Sequence, residues 1–378
     1  MTLQHPPTAP PSASLPAISP DANKYTRGSL LVLAGSERYP GAAVLTALAA
    51  ARTGAGYVTL AVPAPAAPAA RAHLLSIPVI AATATHIPAA APLTAPPPGE
   101  PTGTFAADAL AGIVAELRHV NAIVCGPGIL TTTATTAFVR SLLVFVDERN
   151  IPLLLDADAL NALGHNGDGS FVSGDGAGHN GDGSFVSRED SEEPILSCPD
   201  TKEPSPRYPP FTTPTILTPH AGELARLNTA FRCEGALSLA QRLNAVVVAK
   251  GPTTQVCVPA TPPATAPQAV VSADTATASP APASVPQEAS PAVISCAARS
   301  LTLNCGTPAL ARAGTGDVLS GVIGSLLAQG LSAPDAAVLG VRLHGSAGRR
   351  AQQRLGVRSV MAEDVVAALP QAIMQLTV

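Results

Sequence analysis

The sequence predicts an open α/β sheet, mostly parallel, with helices on both faces, and three observations carry that prediction. Short apolar runs recur along the chain, each ending in Gly, Pro or Asp. Segments with helical spacing alternate with them, the pattern of a parallel sheet covered on both sides. The composition is 46% hydrophobic but only 3% aromatic, with no Trp, so the interior is built from Ala, Val and Leu, which suits helices packed on a buried sheet.

Residues 1–20 are rich in Pro, Ser and Ala and are expected to form a flexible or polyproline-like tail. Order is expected from about Lys24, where "SLLVLAG" reads as a buried strand, "YPGAAVLTALAAARTGAG" as an Ala/Leu helix with a glycine stop, and "YVTLAVP" as a second strand. Further strands are expected at "NAIVCGPG", "IPLLLDAD", "TILTPH" and "AVVVAKG". Two stretches interrupt this pattern, at 164–212 and 259–299. The first contains "GHNGDGSFVS" at 164–173 and again at 178–187, too few copies for a calcium-binding β-roll and read as a surface insertion. Prolines recur too often in the second for a regular helix. The remainder, within 21–378, is compatible with one large α/β domain.

The balance of charge excludes several classes of partner. A formal net charge of −4, with no Lys/Arg run interleaved with aromatics, argues against nucleic acid. No uninterrupted apolar stretch is long enough for a membrane span, and the N-terminus has no signal-peptide pattern, so a cytoplasmic protein is expected. The six cysteines form no CxxC pair and no zinc-like cluster, so neither a metal site nor a disulfide scaffold is expected.

Ligands of open parallel sheets bind beyond the C-terminal strand ends, so polar residues after the apolar runs are the candidates. Gly35, Ser36, Tyr39, Pro40, Gly41 and Ala43 sit where the first strand meets its helix, and form either an ordinary turn or a close seat for a flat ligand. Gly126-Pro127-Gly128 leaves room for a cofactor-sized group. Asp156 and Asp158 share a face if their strand persists that far; otherwise Asp158 caps the next helix. In "ILTPHAGELARL", Thr218 reads as an N-cap and Pro219 as the first helical residue, which puts His220 in the first turn as a neutral hydrogen-bonding group or an incidental surface residue. Lys250 at a strand end, followed by Gly251, Pro252, Thr253 and Thr254, can neutralise phosphate or be solvated. Gly314, Thr315 and Gly316 can curl into an anion nest before an apolar helix, without the spacing or lysine of a Walker loop. An aspartate beside an anion costs energy unless it faces the attacking hydroxyl as a base; this is the role expected of Asp317, against the simpler alternative of a helix-terminal carboxylate.

Taken together, "KYTRGSLLVLAGSERYPGAA", "CGPG", "LLLDADALN", "ILTPHAGELARL", "AKGPTT" and "ARAGTGDVLSGVIGSLLAQG" resemble, in that order, the ADP/ATP-dependent NAD(P)H-hydrate dehydratases, the YjeF C-terminal domain family with a ribokinase-like fold. The resemblance implies repair of (6S)-NADHX and (6S)-NADPHX by a hydro-lyase using ADP, or ATP in some members, with Mg²⁺. It implies that Ala43, Gly128, His220 and Asp317 hold the hydrate, with Asp317 catalytic, and that Lys250, Gly251, Pro252, Thr253, Thr254, Gly314, Thr315 and Gly316 hold the adenylate. It implies a homotetramer or a higher assembly. Two departures stand out: Leu130 replaces a glycine common after Gly-Pro-Gly, and Arg312 and Ala313 replace Thr and Gly, so that Arg312 either contacts phosphate or faces solvent. The competing readings are a ribokinase-like kinase for a vitamin precursor and a catalytically silent nucleotide-binding protein.

Overall fold

The computed structural model describes residues 14–85, 102–164, 210–260 and 298–376. Most of the two expected insertions, and most of the expected N-terminal tail, lie outside the described residues. Nine strands form one sheet: β1 (Ser29–Leu33), β2 (Tyr57–Pro63), β3 (Val79–Ala82), β4 (Ala122–Cys125), β5 (Leu153–Leu155), β6 (Thr215–Leu217), β7 (Val246–Ala249), β8 (Thr254–Val258) and β9 (Arg299–Leu303). Their spatial order is β3-β2-β1-β4-β5-β6-β7-β8-β9. All pairs up to β6–β7 are parallel, while β7–β8 and β8–β9 are antiparallel, with Val258 opposite Arg299.

Ten helices are described: α1 (Pro40–Thr53), α2 (Ala67–His73), α3 (Ala109–Ala115), α4 (Thr133–Arg149), α5 (Asp158–Gly164), α6 (Ala221–Phe231), α7 (Gly235–Leu243), α8 (Thr315–Ala328), α9 (Ala333–Leu355) and α10 (Ala362–Leu376). Side-chain alternation along the strands divides the core in two. Leu30, Val32, Leu60, Val124 and Leu154 face α1, α2, α8, α9 and α10, whereas Leu31, Leu33, Ile123, Leu153 and Leu155 face α3 to α7. The expected three-layer arrangement is therefore the one observed. The layers approach closely because small residues line them: a Cβ on Gly324 of α8 would lie 2.2 Å from Val124 Cγ2. That contact seats the later half of α8 directly on β4.

One local expectation is corrected, and one pair of open alternatives is decided. The sequence suggested Thr218 as the cap of α6, but the cap is His220 and the helix begins at Ala221. The chain stays extended two residues longer because the Lys250 N–H donates to the Pro219 carbonyl at 2.8 Å, carrying the β6–β7 pairing past the strand ends. Asp156 and Asp158 do not share a face. β5 stops at Leu155, and Ala157 takes a left-handed φ of 50°, which turns the two carboxylates apart.

Candidate functional site

The strand ends of β1, β4, β5, β6 and β7 are neighbours in the sheet, so their loops bring the predicted residues to one edge. The Gly35 N–H donates to the Pro127 carbonyl at 2.7 Å, which joins the first loop to the Gly-Pro-Gly turn. Gly128 has φ 68°, and a Cβ there would lie 2.8 Å from the Ala42 Cβ, so the turn rests directly on the start of α1. Ala43 is fully buried, and a ligand would meet this part of α1 through its backbone. Asp158 ties the same turn to the start of α5: its carboxylate accepts from the Leu130 N–H at 2.9 Å and the Thr131 hydroxyl at 3.3 Å.

His220 commits one ring nitrogen to its own helix. Nδ1 accepts from the Gly222 and Glu223 N–H groups at 3.0 and 3.4 Å. Nε2 therefore carries the proton of the neutral ring, and it lies 3.3 Å from Glu223 Oε1. The Glu223 carboxylate accepts in return from the His220 N–H at 2.8 Å, a capping box in which histidine takes the usual Ser/Thr place. Burial, then Lys250 and Arg226, lower the proton affinity of His220, so the ring stays neutral, as the helix start also favours. Its side chain remains more than half exposed toward the strand ends.

Asp156 is the centre of the polar cluster. One carboxylate oxygen accepts from Lys250 Nζ at 2.6 Å, and the other from the Ser320 hydroxyl on α8 at 2.6 Å. Lys250 also lies 3.9 Å from Glu223 Oε2. Burial alone would lower the lysine's proton affinity, but Asp156 and Glu223 reverse this and hold the ammonium charged. Glu223 is pushed up to about 7 by burial, against the pull of Lys250.

The expected anion nest falls at the N-terminus of α8. Gly314, with φ 86°, is its N-cap, and no side chain caps the first turn. The Thr315 hydroxyl donates to the carbonyls of Leu310 and Arg312 at 2.7 and 2.8 Å, fixing the loop rather than filling the nest. A Cβ on Gly316 would lie 3.6 Å from Lys250 Nζ, so the ammonium and the first-turn amides face one another. Asp317 stands beside them, and burial pushes its carboxyl up to about 7, with Asp156 adding to the rise and Lys250 opposing it. Arg312 is exposed, the second of the two alternatives, and its guanidinium donates to the carbonyls of Arg358 and Val360 at 3.2 and 2.8 Å. Gly251 to Thr254 follow Lys250 as a turn into β8, at the edge of the same cluster.

Two participants have no sequence-level claim in the motifs. Ser320 could not have been found from spacing, since its partner Asp156 is 164 residues away. Glu223 could have been, because a carboxylate three residues after a polar cap is the capping-box signal.

An uncapped helix start, a lysine facing it and a protonatable aspartate lie together at the C-terminal edge of a mostly parallel sheet, in a protein of ribokinase-like fold. The fold is shared with the ADP/ATP-dependent NAD(P)H-hydrate dehydratase of Bacillus subtilis, at TM-score 0.60 and 22% identity over 97% of this chain and 95% of that one. A ribokinase-like superfamily protein of Enterococcus faecalis matches at TM-score 0.61 and 16% identity, over 97% and 93%. The NAD(P)H-hydrate dehydratase family model matches residues 30–174 and 287–371, more than half of the sequence, and the chain belongs to that family. The bifunctional NAD(P)H-hydrate repair enzyme Nnr of Salinibacter ruber is 31% identical over 94% of this chain and 50% of its own length. The chain spans about half the length of the first curated relatives it matches. The ADP-dependent (S)-NAD(P)H-hydrate dehydratase of Xanthomonas campestris is 27% identical over 96% of this chain and 94% of its own.

Proposed function

We propose that the chain dehydrates (6S)-NADHX and (6S)-NADPHX to NADH and NADPH, consuming ADP and releasing AMP and phosphate. The observation that carries this reading is the position of Asp317, in the first turn of α8 beside the amide nest and the Lys250 ammonium. A carboxylate with ordinary proton affinity is a weak base; one raised to about 7 is matched to removing a hydroxyl proton near neutral pH.

Hydroxide is a poor leaving group. In the proposed sequence the C6 hydroxyl of the hydrate gives its proton to Asp317 as its oxygen attacks the terminal phosphorus of ADP, and the P–O bond to AMP breaks. The nest and Lys250 take up the charge that develops on the transferring group. The ring nitrogen's lone pair then expels phosphate from C6, and loss of the C5 proton restores the dihydropyridine. Ala43, Gly128 and His220 would hold the hydrate, with Lys250 to Thr254 and Gly314 to Gly316 holding the adenylate. Mg²⁺ would screen the phosphates. Among the described residues no group of three or more His, Cys, Asp or Glu could hold a metal ion.

Incubation with NADHX and ADP, and in parallel with ATP, tests the reading through recovery of the near-ultraviolet absorbance of reduced nicotinamide. Recovery with ADP is expected, with AMP and phosphate as products. No recovery with either nucleotide, or a stable phosphorylated product, refutes it. Cytoplasmic residence and homotetrameric assembly belong to the same proposal, the latter checked by light scattering. Among the described residues no helix is long and apolar enough to cross a membrane.

A further inference from the structure

We propose that Asp156 is a positioning residue: it holds the Lys250 ammonium with one carboxylate oxygen and the Ser320 hydroxyl of α8 with the other, and so fixes the lysine against the Gly314–Gly316 nest. This deepens the reading above and rests on it for its catalytic consequence. The geometry carries the argument. Asp156 is 1% exposed, and both of its bonds measure 2.6 Å. A long, rotamer-rich lysine would otherwise sample many positions, and freezing it in advance removes that cost from the reaction step. The clamp joins two segments distant in sequence: the end of β7, which Lys250 follows directly, and α8, whose first turn carries the nest and Asp317. Ser320 lies one turn along α8 from Asp317, so one buried carboxylate registers the lysine to the same helix as the base. Its own backbone is locked: the Asp156 carbonyl packs where a Cβ on Gly126 would lie, 1.8 Å away.

The test replaces Asp156 with Asn, nearly the same shape without the charge, and reads Lys250 directly by amine-labelling and mass spectrometry of the full chain. Lys250 in Asp156→Asn should label about tenfold faster at fixed pH, the change expected when loss of the paired carboxylate lowers an amine's proton affinity by about one pH unit. With NADHX and ADP, kcat should fall roughly a hundredfold while KM for ADP does not rise, because removing a negative charge beside a phosphate site does not weaken ground-state binding. Retention of the AMP-induced rise in Tm certifies that the site is folded. Should that variant not fold, labelling of the unsubstituted protein decides: Lys250 must titrate above an amine in a short peptide, and titration at or below it overturns the proposal. An unchanged labelling rate in the folded variant, kcat within about threefold of the parent, or a raised KM with kcat preserved also overturns it. If the parent protein fails to restore NADH, the function proposed above fails, while the labelling result still judges the clamp.

Discussion

Replacing Asp317 with Asn separates what this residue does for the reaction from what it costs the fold. Burial raises its carboxyl from 3.8 to about 7, so the folded chain binds this proton more tightly than the unfolded chain. The resulting stabilisation is fully present below about pH 4 and is lost as pH rises through about 7. At roughly 1.4 kcal/mol per pH unit of displacement, the upper bound is about 4 kcal/mol. Asp317 is partly open to solvent, and screening reduces this to about 2 kcal/mol. Asn does not titrate, so Asp317→Asn should match the parent at pH 4 and exceed it by about 2 kcal/mol at pH 8. Glu223 titrates in the same range but is common to both proteins and cancels. The assay is urea unfolding of parent and variant at pH 4, 6 and 8. Turnover should fall in the variant by about 10²–10⁴, the usual contribution of a general base, while AMP still binds. In the parent, kcat/KM should fall about tenfold per pH unit below about 7. A variant less stable than its parent at pH 8, a stability difference independent of pH, or substantial residual turnover would refute the reasoning.

His220→Ala removes the cap of α6 and should cost about 1 kcal/mol in thermal unfolding. The same change should raise KM for the hydrate; an unchanged value would show that His220 serves only its helix. Gly126→Ala places a methyl 1.8 Å from the Asp156 carbonyl at φ 132°, a clash of backbone against Cβ that no rotamer relieves, and should cost more than about 3 kcal/mol in urea unfolding, with loss of activity. Deleting residues 178–187, the second copy of the repeated segment, should leave kcat and KM unchanged in the NADHX assay.

The strands most legible in the sequence were the continuous apolar runs of β1, β2, β4, β5, β6 and β7, because a strand buried on both faces must be apolar throughout. The others escaped for identifiable reasons. β3 is four residues long at the sheet edge, with Ala81 exposed, so it lacks that signature. β8 and β9 pair as an antiparallel ladder, but residues 259–298 separate them, and no local turn chemistry announces a hairpin. The site shows the same division. Gly314 to Asp317 could be read as a helix start because the whole device is local. The Lys250–Asp156 contact spans 94 residues, and only the order of strands in the sheet makes β5 and β7 near neighbours. Tertiary pairing also overruled a sound local inference at Thr218: that residue is a good cap by type, yet it is fully buried, and the cap passed to His220.

The turn that separates Asp156 from Asp158 also settles the electrostatics of the site. Ala157 at φ 50° and Leu130 at φ 62° are both held in a conformation that disfavours a Cβ, at a cost on the order of 1 kcal/mol each. The bonds of Asp158 to Leu130 and Thr131, and of the Thr135 hydroxyl to the Leu130 carbonyl at 2.8 Å, offset that strain. Had β5 continued, both aspartates would have crowded Lys250 from one face. Instead a single carboxylate clamps the lysine, and Asp158 becomes the tie to the Gly-Pro-Gly turn. Around the lysine this leaves Asp156, Glu223 and Asp317, three acids sharing one ammonium. That imbalance, added to burial, keeps Glu223 and Asp317 protonatable near neutral pH. A second cationic side chain fixed beside the nest would oppose that rise and make Asp317 a weaker base. Arg312, five residues before Asp317, is the nearest such cation in sequence, and its anchorage on the Arg358 and Val360 carbonyls keeps it out of the nest.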